Sequence, residues 1–418
     1  MEIQRNTYLN RILESRHNGM IKIITGIRRC GKSYLLFNIF ANWLKEHGVD
    51  ESHIITVDLE DRRNKVLRDP DALISHIDSK MLDENMHYIL LDEIQVVDEF
   101  EDVLNSYLKI RNADVYVTGS NARFLSHDVI TTFRGRGEEI RVYPLTFREF
   151  LSASTEKKLE IALQEYMTYG GLPQTLEYVS EERKADYLKS LFAKTYLTDI
   201  KERYHIKNDA EMELLLDVIS SGIGSLTNPT KLANTFKSQT NVSLSDKTIK
   251  QYLDYICDSF LAEKALRYDV KGKQYIDTPY KYYFSDLGLR NARLNFRQLE
   301  KSHLMENIIY NELRVRGFNV DVGVVPTVVT GKDGQQKRIS YEIDFVCNLA
   351  SKRYYIQSAY SLDSDEKIAQ EQNSLRNVND SFKKIIIVGN HNLVEHNDYG
   401  ITTISIYDFL LNENSLEL

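Results

Sequence analysis

A chain of 418 residues with 42% apolar and 27% charged side chains has room for two or three domains, each with a proper core. Its net charge of −8 argues against indiscriminate coating of nucleic acid and leaves room only for a local basic face. There is no apolar run of membrane length and no signal-like stretch after Met1. The three cysteines (Cys30, Cys257, Cys347) show no metal-ligand spacing, so a cytoplasmic chain with free thiols and no membrane partner is expected.

The first informative element is the apolar strand Ile21–Ile24, followed by Gly26-Ile-Arg-Arg-Cys-Gly31-Lys32-Ser33 and a helix from about Tyr34. G-x-x-x-x-G-K-S between a strand and a helix is the pattern of a phosphate-binding loop, in which backbone N–H groups close around phosphate oxygens. Gly26, Arg29, Cys30, Gly31, Lys32, Ser33 and Tyr34 are therefore expected to line a nucleotide, with Lys32 on the β/γ-phosphates and the Ser33 hydroxyl on Mg²⁺. Cys30 lies inside the loop, and its alkylation is expected to block the nucleotide.

Four apolar residues then end in Asp92-Glu93, which reads as a buried parallel strand with its carboxyl end at the nucleotide. Asp92 is the expected second Mg²⁺ residue, and Glu93, aimed differently, the base that polarises the attacking water. Runs at His53–Val57, Val115–Val117 and Ile140–Val142 complete a βαβ alternation, hence a parallel sheet with helices on both faces. The strand before Thr118-Gly119-Ser120-Asn121 should neighbour the acidic one, which makes Asn121 a candidate γ-phosphate sensor. Phe133-Arg134-Gly135-Arg136-Gly137 carries two arginines on a turn, suited to a finger inserted into a neighbouring subunit's nucleotide. Arg136 is the first choice and Arg134 the second; such fingers contribute ~10³–10⁵ in rate.

Further along, Lys157–Tyr169 and Glu181–Asp199 have helical spacing and flank the break Gly170-Gly171-Leu172-Pro173. From Asp209 the pattern becomes three helices, the third capped by Ser245, then strands Ala262–Tyr268 and Lys281–Phe284: a helix-turn-helix with a hairpin wing. Lys247 and Lys250 on the third helix, and Arg267, Lys271 and Lys273 on the wing, are the candidate DNA contacts. The competing reading is a protein-interaction module, which Asp246, Asp254 and Asp258 favour. The last stretch alternates helix Ser302–Arg316, strands at 341–346 and 353–359, helix Asp365–Asn377 and strands at 384–388 and 400–406.

In combination, the phosphate loop, Leu-Leu-Asp92-Glu93-Ile-Gln, Thr118-Gly-Ser-Asn121, Val142-Tyr-Pro-Leu-Thr-Phe-Arg-Glu-Phe150, Tyr169-Gly-Gly-Leu-Pro173 and Tyr196-Leu-Thr-Asp199 resemble a group of prokaryotic AAA-type P-loop ATPases. That resemblance implies an α/β fold in which a P-loop NTPase parallel sheet (1–150) is followed by a helical lid (151–207), a winged helix (208–298) and a C-terminal α/β domain similar to restriction endonucleases (299–418). The phosphate loop and the acidic strand end imply ATP and Mg²⁺ as ligands, and Arg136 acting on a neighbouring copy implies a homo-oligomer, with a hexamer as the first expectation. A PD-(D/E)xK nuclease site would use Glu306 and Asp344, but Gln357 stands where the next acid belongs and Ala359 where the lysine belongs. Cleavage is therefore not expected. An oligomeric motor or remodeller on DNA and a nucleotide-dependent signalling switch both remain open.

Overall fold

The structure is a computed structural model that describes residues 3–119, 133, 135–206, 209–239, 244–330, 335–390 and 394–418. The chain divides into two compact units, Met1–Pro144 with Asp258–Phe260, and Leu145–Cys257 with Leu261–Leu418. The first break thus falls at Pro144 and not at 150. The segment after it starts a new helix, Phe147–Ala153, through a reciprocal cap between Thr146 and Glu149.

The first unit is a five-stranded sheet of β1 (Ile21–Thr25), β2 (Ile54–Asp58), β3 (His87–Asp92), β4 (Ala113–Thr118) and β5 (Gly137–Arg141). Its order is β2-β3-β4-β1-β5 and every pairing is parallel. β1 and β3 are buried along their whole length, as strands covered on both faces must be. The alternation of short apolar runs with helices forces this arrangement, because parallel neighbours need crossovers. Lys22 is the exception within β1: it is fully buried, and its ammonium is met by Asp114 of β4, whose other oxygen accepts from Tyr116.

The second unit holds an eight-stranded mixed sheet. Its strands are β6 (Ala262–Asp269), β7 (Gln274–Phe284), β8 (Asn319–Thr330), β9 (Gln336–Leu349), β10 (Lys352–Ala359), β11 (Lys383–Val388), β12 (Glu395–His396) and β13 (Ile401–Ser405), in the order β12-β13-β11-β10-β9-β8-β6-β7. The helices Asp209–Ser221, Pro229–Gln239 and Asp246–Asp258 precede β6. The expected wing, β6–β7, is not a free arm: Arg267, Tyr268 and Asp269 pair in parallel with Val322, Gly323 and Val324 of β8. The sheet therefore runs across residue 298, where a domain boundary was expected. The partner of β8 on its other side, β9, runs antiparallel to it.

Gly170 and Gly171, read from sequence as a simple break, meet Asp286. Its carboxylate accepts from Gly171 N at 2.8 Å and Leu289 N at 3.0 Å, and a Cβ on Gly170 would stand 2.3 Å from Asp286 Oδ1. Among the described residues no helix is long and apolar enough to cross a membrane.

Candidate nucleotide site

The loop from Gly26 to Ser33 leaves the carboxyl end of β1. Gly26 has φ +139° and a Cβ there would come within 2.1 Å of Val142 O, while Gly31 has φ +99° at the start of the helix. Both positions need glycine, one for close approach and one for the left-handed backbone. Lys32 is buried and folds back over its own loop, donating to Gly26 O at 3.0 Å and Ile27 O at 3.2 Å. An ammonium has three donors, so one is left for an anion held in the loop. Ser33 is half-buried; Arg29 and Tyr34 are exposed at the rim. Cys30 is fully buried, with Sγ 3.5 Å from Val142 O. The expected block by alkylation is therefore withdrawn, because the thiol points into the protein; only the Cys30 backbone can face a ligand.

Behind the loop sits a residue that sequence reasoning missed. Arg5 is buried and donates to Cys30 O at 3.0 Å and Tyr143 O at 2.6 Å, tying the loop to the segment after β5. No local pattern marks it, since its partners lie 25 and 138 residues away.

β4 lies between β1 and β3, and that placement brings Thr118 to the acidic pair. Thr118 Oγ1 donates to Asp92 Oδ1 and accepts from Glu93 N at 2.9 Å. Asp92 is buried, and burial raises its pKa; the hydroxyls of Thr118 and Ser33 partly offset this, and Glu93 and Asp58 add to it. Glu93 has a left-handed backbone, φ +52°, which turns its side chain away from the line of the strand, where Gln95 Nε2 donates to it. A strand-end threonine beside an acidic strand was the available signal for Thr118. The expected sensor, Asn121, and the second-choice finger, Arg134, lie outside the described residues.

Arg136 is exposed and precedes β5; its carbonyl accepts from Ile21 N at 2.9 Å. It therefore sits at the amino end of β1, with the phosphate loop starting at the other end, roughly 16 Å away at about 3.3 Å per residue. A magnesium ion fits the donor set of the loop, since a buried carboxylate and a hydroxyl, Asp92 and Ser33, are hard oxygen ligands of the kind it takes.

The DNA contacts expected from sequence separate into two groups. Lys247 and Lys250 are exposed on the helix Asp246–Asp258, and Lys273 is exposed at the hairpin tip. Arg267 is a half-buried sheet position whose Nε is buried without a partner, and Lys271 is exposed with its Nζ held by Pro326 O at 2.7 Å and Thr327 Oγ1 at 3.3 Å. Fusion of the hairpin to β8 is the reason.

In the second unit Glu306 and Asp344 do come together, around an unexpected cation. Lys281 of β7, 4% exposed, lies 2.9 Å from Glu306 Oε1, 2.8 Å from Glu342 Oε1 and 3.6 Å from Asp344 Oδ1. Burial pulls the Lys281 pKa down, but Glu306, Asp344 and Glu342 outweigh it and hold it above the ordinary range. Burial, with Glu306 alongside, raises Asp344 against the pull of Lys281. Tyr283 also donates to Glu306 at 2.7 Å. Gln357 accepts from Ser374 at 3.3 Å, and Ala359 is buried. A lysine among the aromatics of Tyr280-Lys-Tyr-Tyr-Phe284 was the one visible hint of Lys281.

Residues 18–151 match the AAA domain family AAA_14, and residues 160–300 match a domain of unknown function, DUF8612. An uncharacterized protein of Haemophilus influenzae is 33% identical over 414 residues, covering 98% of both chains. The chain belongs to the same family of AAA-domain proteins. Uncharacterized protein MJ1544 of Methanocaldococcus jannaschii is 28% identical, covering 93% of this chain and 85% of its own. Among solved structures, the Aeropyrum pernix ORC1 protein in complex with DNA is 12% identical, covering 70% of this chain and 92% of that one, with a TM-score of 0.31. At that TM-score the overlap is too loose to bear on function.

Proposed function

We propose that this family member binds ATP with Mg²⁺ at the loop 26–33, hydrolyses it, and acts on DNA as a homo-oligomer. The observation that carries the hydrolytic reading is the set of Lys32, Ser33, Asp92, Thr118 and Glu93 at the carboxyl ends of neighbouring strands. Lys32 and the loop N–H groups bind and orient the β/γ-phosphates. Ser33 and Asp92 would hold Mg²⁺, which when bound offsets phosphate charge. Thr118 fixes the angle between Asp92 and Glu93, leaving Glu93 to accept a proton from water.

Arg136 is too far from its own loop to serve it, which supports a finger that acts on a neighbouring copy. Exposed Lys247 and Lys250 support the DNA reading. A second reading, a nucleotide-dependent signalling switch, is favoured by the hairpin's place inside the large sheet, which leaves no free wing for a groove.

The decisive assay is Mg²⁺-ATP turnover with and without single-stranded, duplex and branched DNA. Stimulation that Lys247→Glu with Lys250→Glu removes, at unchanged basal rate, supports the DNA reading; flat turnover with retained ADP supports the switch. Turnover absent under every condition sinks both. Mixing Arg136→Ala with Lys32→Ala tests the finger: each alone should be inactive, and together they should regain activity because one supplies the loop and the other the arginine. No recovery removes the action between copies.

A further inference from the structure

At the end of the parallel sheet away from the phosphate loop is a cluster that nucleotide chemistry does not use. His53 immediately precedes β2 and His87 opens β3; Ile54 pairs with Tyr88, so the two imidazoles are cross-strand neighbours with ring centroids 4.8 Å apart. Asp83, in the turn leading to β3, places its carboxylate oxygens 3.1 and 3.0 Å from His53 Nε2. The Asn85 backbone N–H, at 2.8 Å, and side-chain amide, at 2.9 Å, hold that carboxylate in position. One ligand atom from each of His53, Asp83 and His87 lies within 4.8 Å of the other two.

His87 supplies an independent observation. It is 1% exposed, its Nδ1 has no hydrogen-bond partner, and its Nε2 stands 4.0 Å from Asp83 Oδ1, beyond hydrogen-bond range. A buried imidazole is normally satisfied. The gap at Nε2 is close to one that an ion bridges: with zinc–nitrogen bonds of about 2.0–2.1 Å and zinc–carboxylate bonds of about 2.0–2.2 Å, a tetrahedral ion needs the two atoms to draw together by about half an ångström, a small side-chain movement.

We propose that His53, Asp83 and His87 form a site for one divalent transition ion of the zinc type. Two imidazoles and a carboxylate suit such an ion better than magnesium, which prefers all-oxygen surroundings. Three protein ligands leave the fourth position to water, on the side where Asp83 is open to solvent. The ion clips the turn at Asp83 to the starts of β2 and β3. It lies roughly 16 Å from Asp92, at about 3.3 Å per residue along β3, so the site stands or falls independently of the nucleotide reading.

The test is titration of the full chain with Co²⁺ and with Zn²⁺ in saturating Mg²⁺, read by cobalt visible absorption, dye competition and thermal melting. Wild type should take up one equivalent and melt at higher temperature with zinc. His53→Ala and Asp83→Asn should each bind about tenfold more weakly or worse, lose the zinc-dependent rise in Tm, and keep wild-type ATP affinity. Uptake and affinity unchanged in both variants, or no uptake by wild type, would overturn the site. Asp83 is exposed and His53 half-buried, so the outcome does not depend on whether variants of the buried His87 fold.

Discussion

At the phosphate loop Asp92 is buried with Asp58 and Glu93 nearby, and its hydrogen-bond partners are two hydroxyls. In the second unit Glu306, Glu342 and Asp344 instead close around the ammonium of Lys281. Buried carboxylates are costly in either setting. Among the described residues Asp92 forms no ion pair, and under the proposed function Mg²⁺ would supply the counter-charge. In the second the counter-charge is built into β7 as the ammonium of Lys281. Where the charge is left open, function is expected; where it is closed, structure is. Asp286 shows a third arrangement, a buried carboxyl held by backbone N–H groups alone and raised to about 6 by burial.

Glu93→Gln should break the contrast most sharply. Its turnover should fall about 10²–10⁴-fold with nucleotide affinity retained, as read by single-turnover hydrolysis beside equilibrium binding. Brisk hydrolysis would remove Glu93 as the base. Lys281→Met should cost about 3–5 kcal/mol in urea unfolding, because it leaves uncompensated carboxylates in the interior. Adding Glu306→Gln should restore part of the loss, and wild-type stability in the single variant would show that the cluster is not held by its ammonium.

The pH dependence sharpens the third arrangement. The folded pKa of Asp286, about 6, lies above its ordinary 3.8, so the folded state keeps a proton that the unfolded state has released. Its contribution is full below 3.8 and is lost as pH rises through about 6, at most about 3 kcal/mol at roughly 1.4 kcal/mol per unit. Asp286→Asn should flatten the unfolding midpoint between pH 4 and 6; an unchanged slope would assign it to other groups. The smallest effect expected is for Thr118→Val, about 1–2 kcal/mol, from unpairing Glu93 N and removing one hydroxyl from Asp92. Nucleotide affinity should drop more with Mg²⁺ than without it if the threonine works by positioning Asp92.

The phosphate loop was legible because it is contiguous: eight residues between a strand and a helix carry the glycines, the lysine and the serine. The acidic strand end was legible for the same reason, as was the alternation that makes β1 to β5 parallel. Thr118 was visible but passed over, since its role depends on β4 being the strand beside β3. Arg5 and Lys281 left almost no local signal. The hairpin β6–β7 was legible but its pairing to β8 was not, because a hairpin in isolation and a hairpin fused to β8 have the same sequence pattern, while the pairing of Arg267 with Val322 spans 55 residues.

The amino-acid order alone settled what short-range sterics and hydrophobic spacing dictate: which segments are strands or helices, where the backbone needs glycine, and which polar side chains end a buried strand. Only the tertiary structure decided which charges share a buried volume. Coulomb energy and desolvation depend on distance in space, so Lys281 among three carboxylates, the hydroxyls on Asp92 and the histidine pair at Asp83 were fixed when the strands took their order.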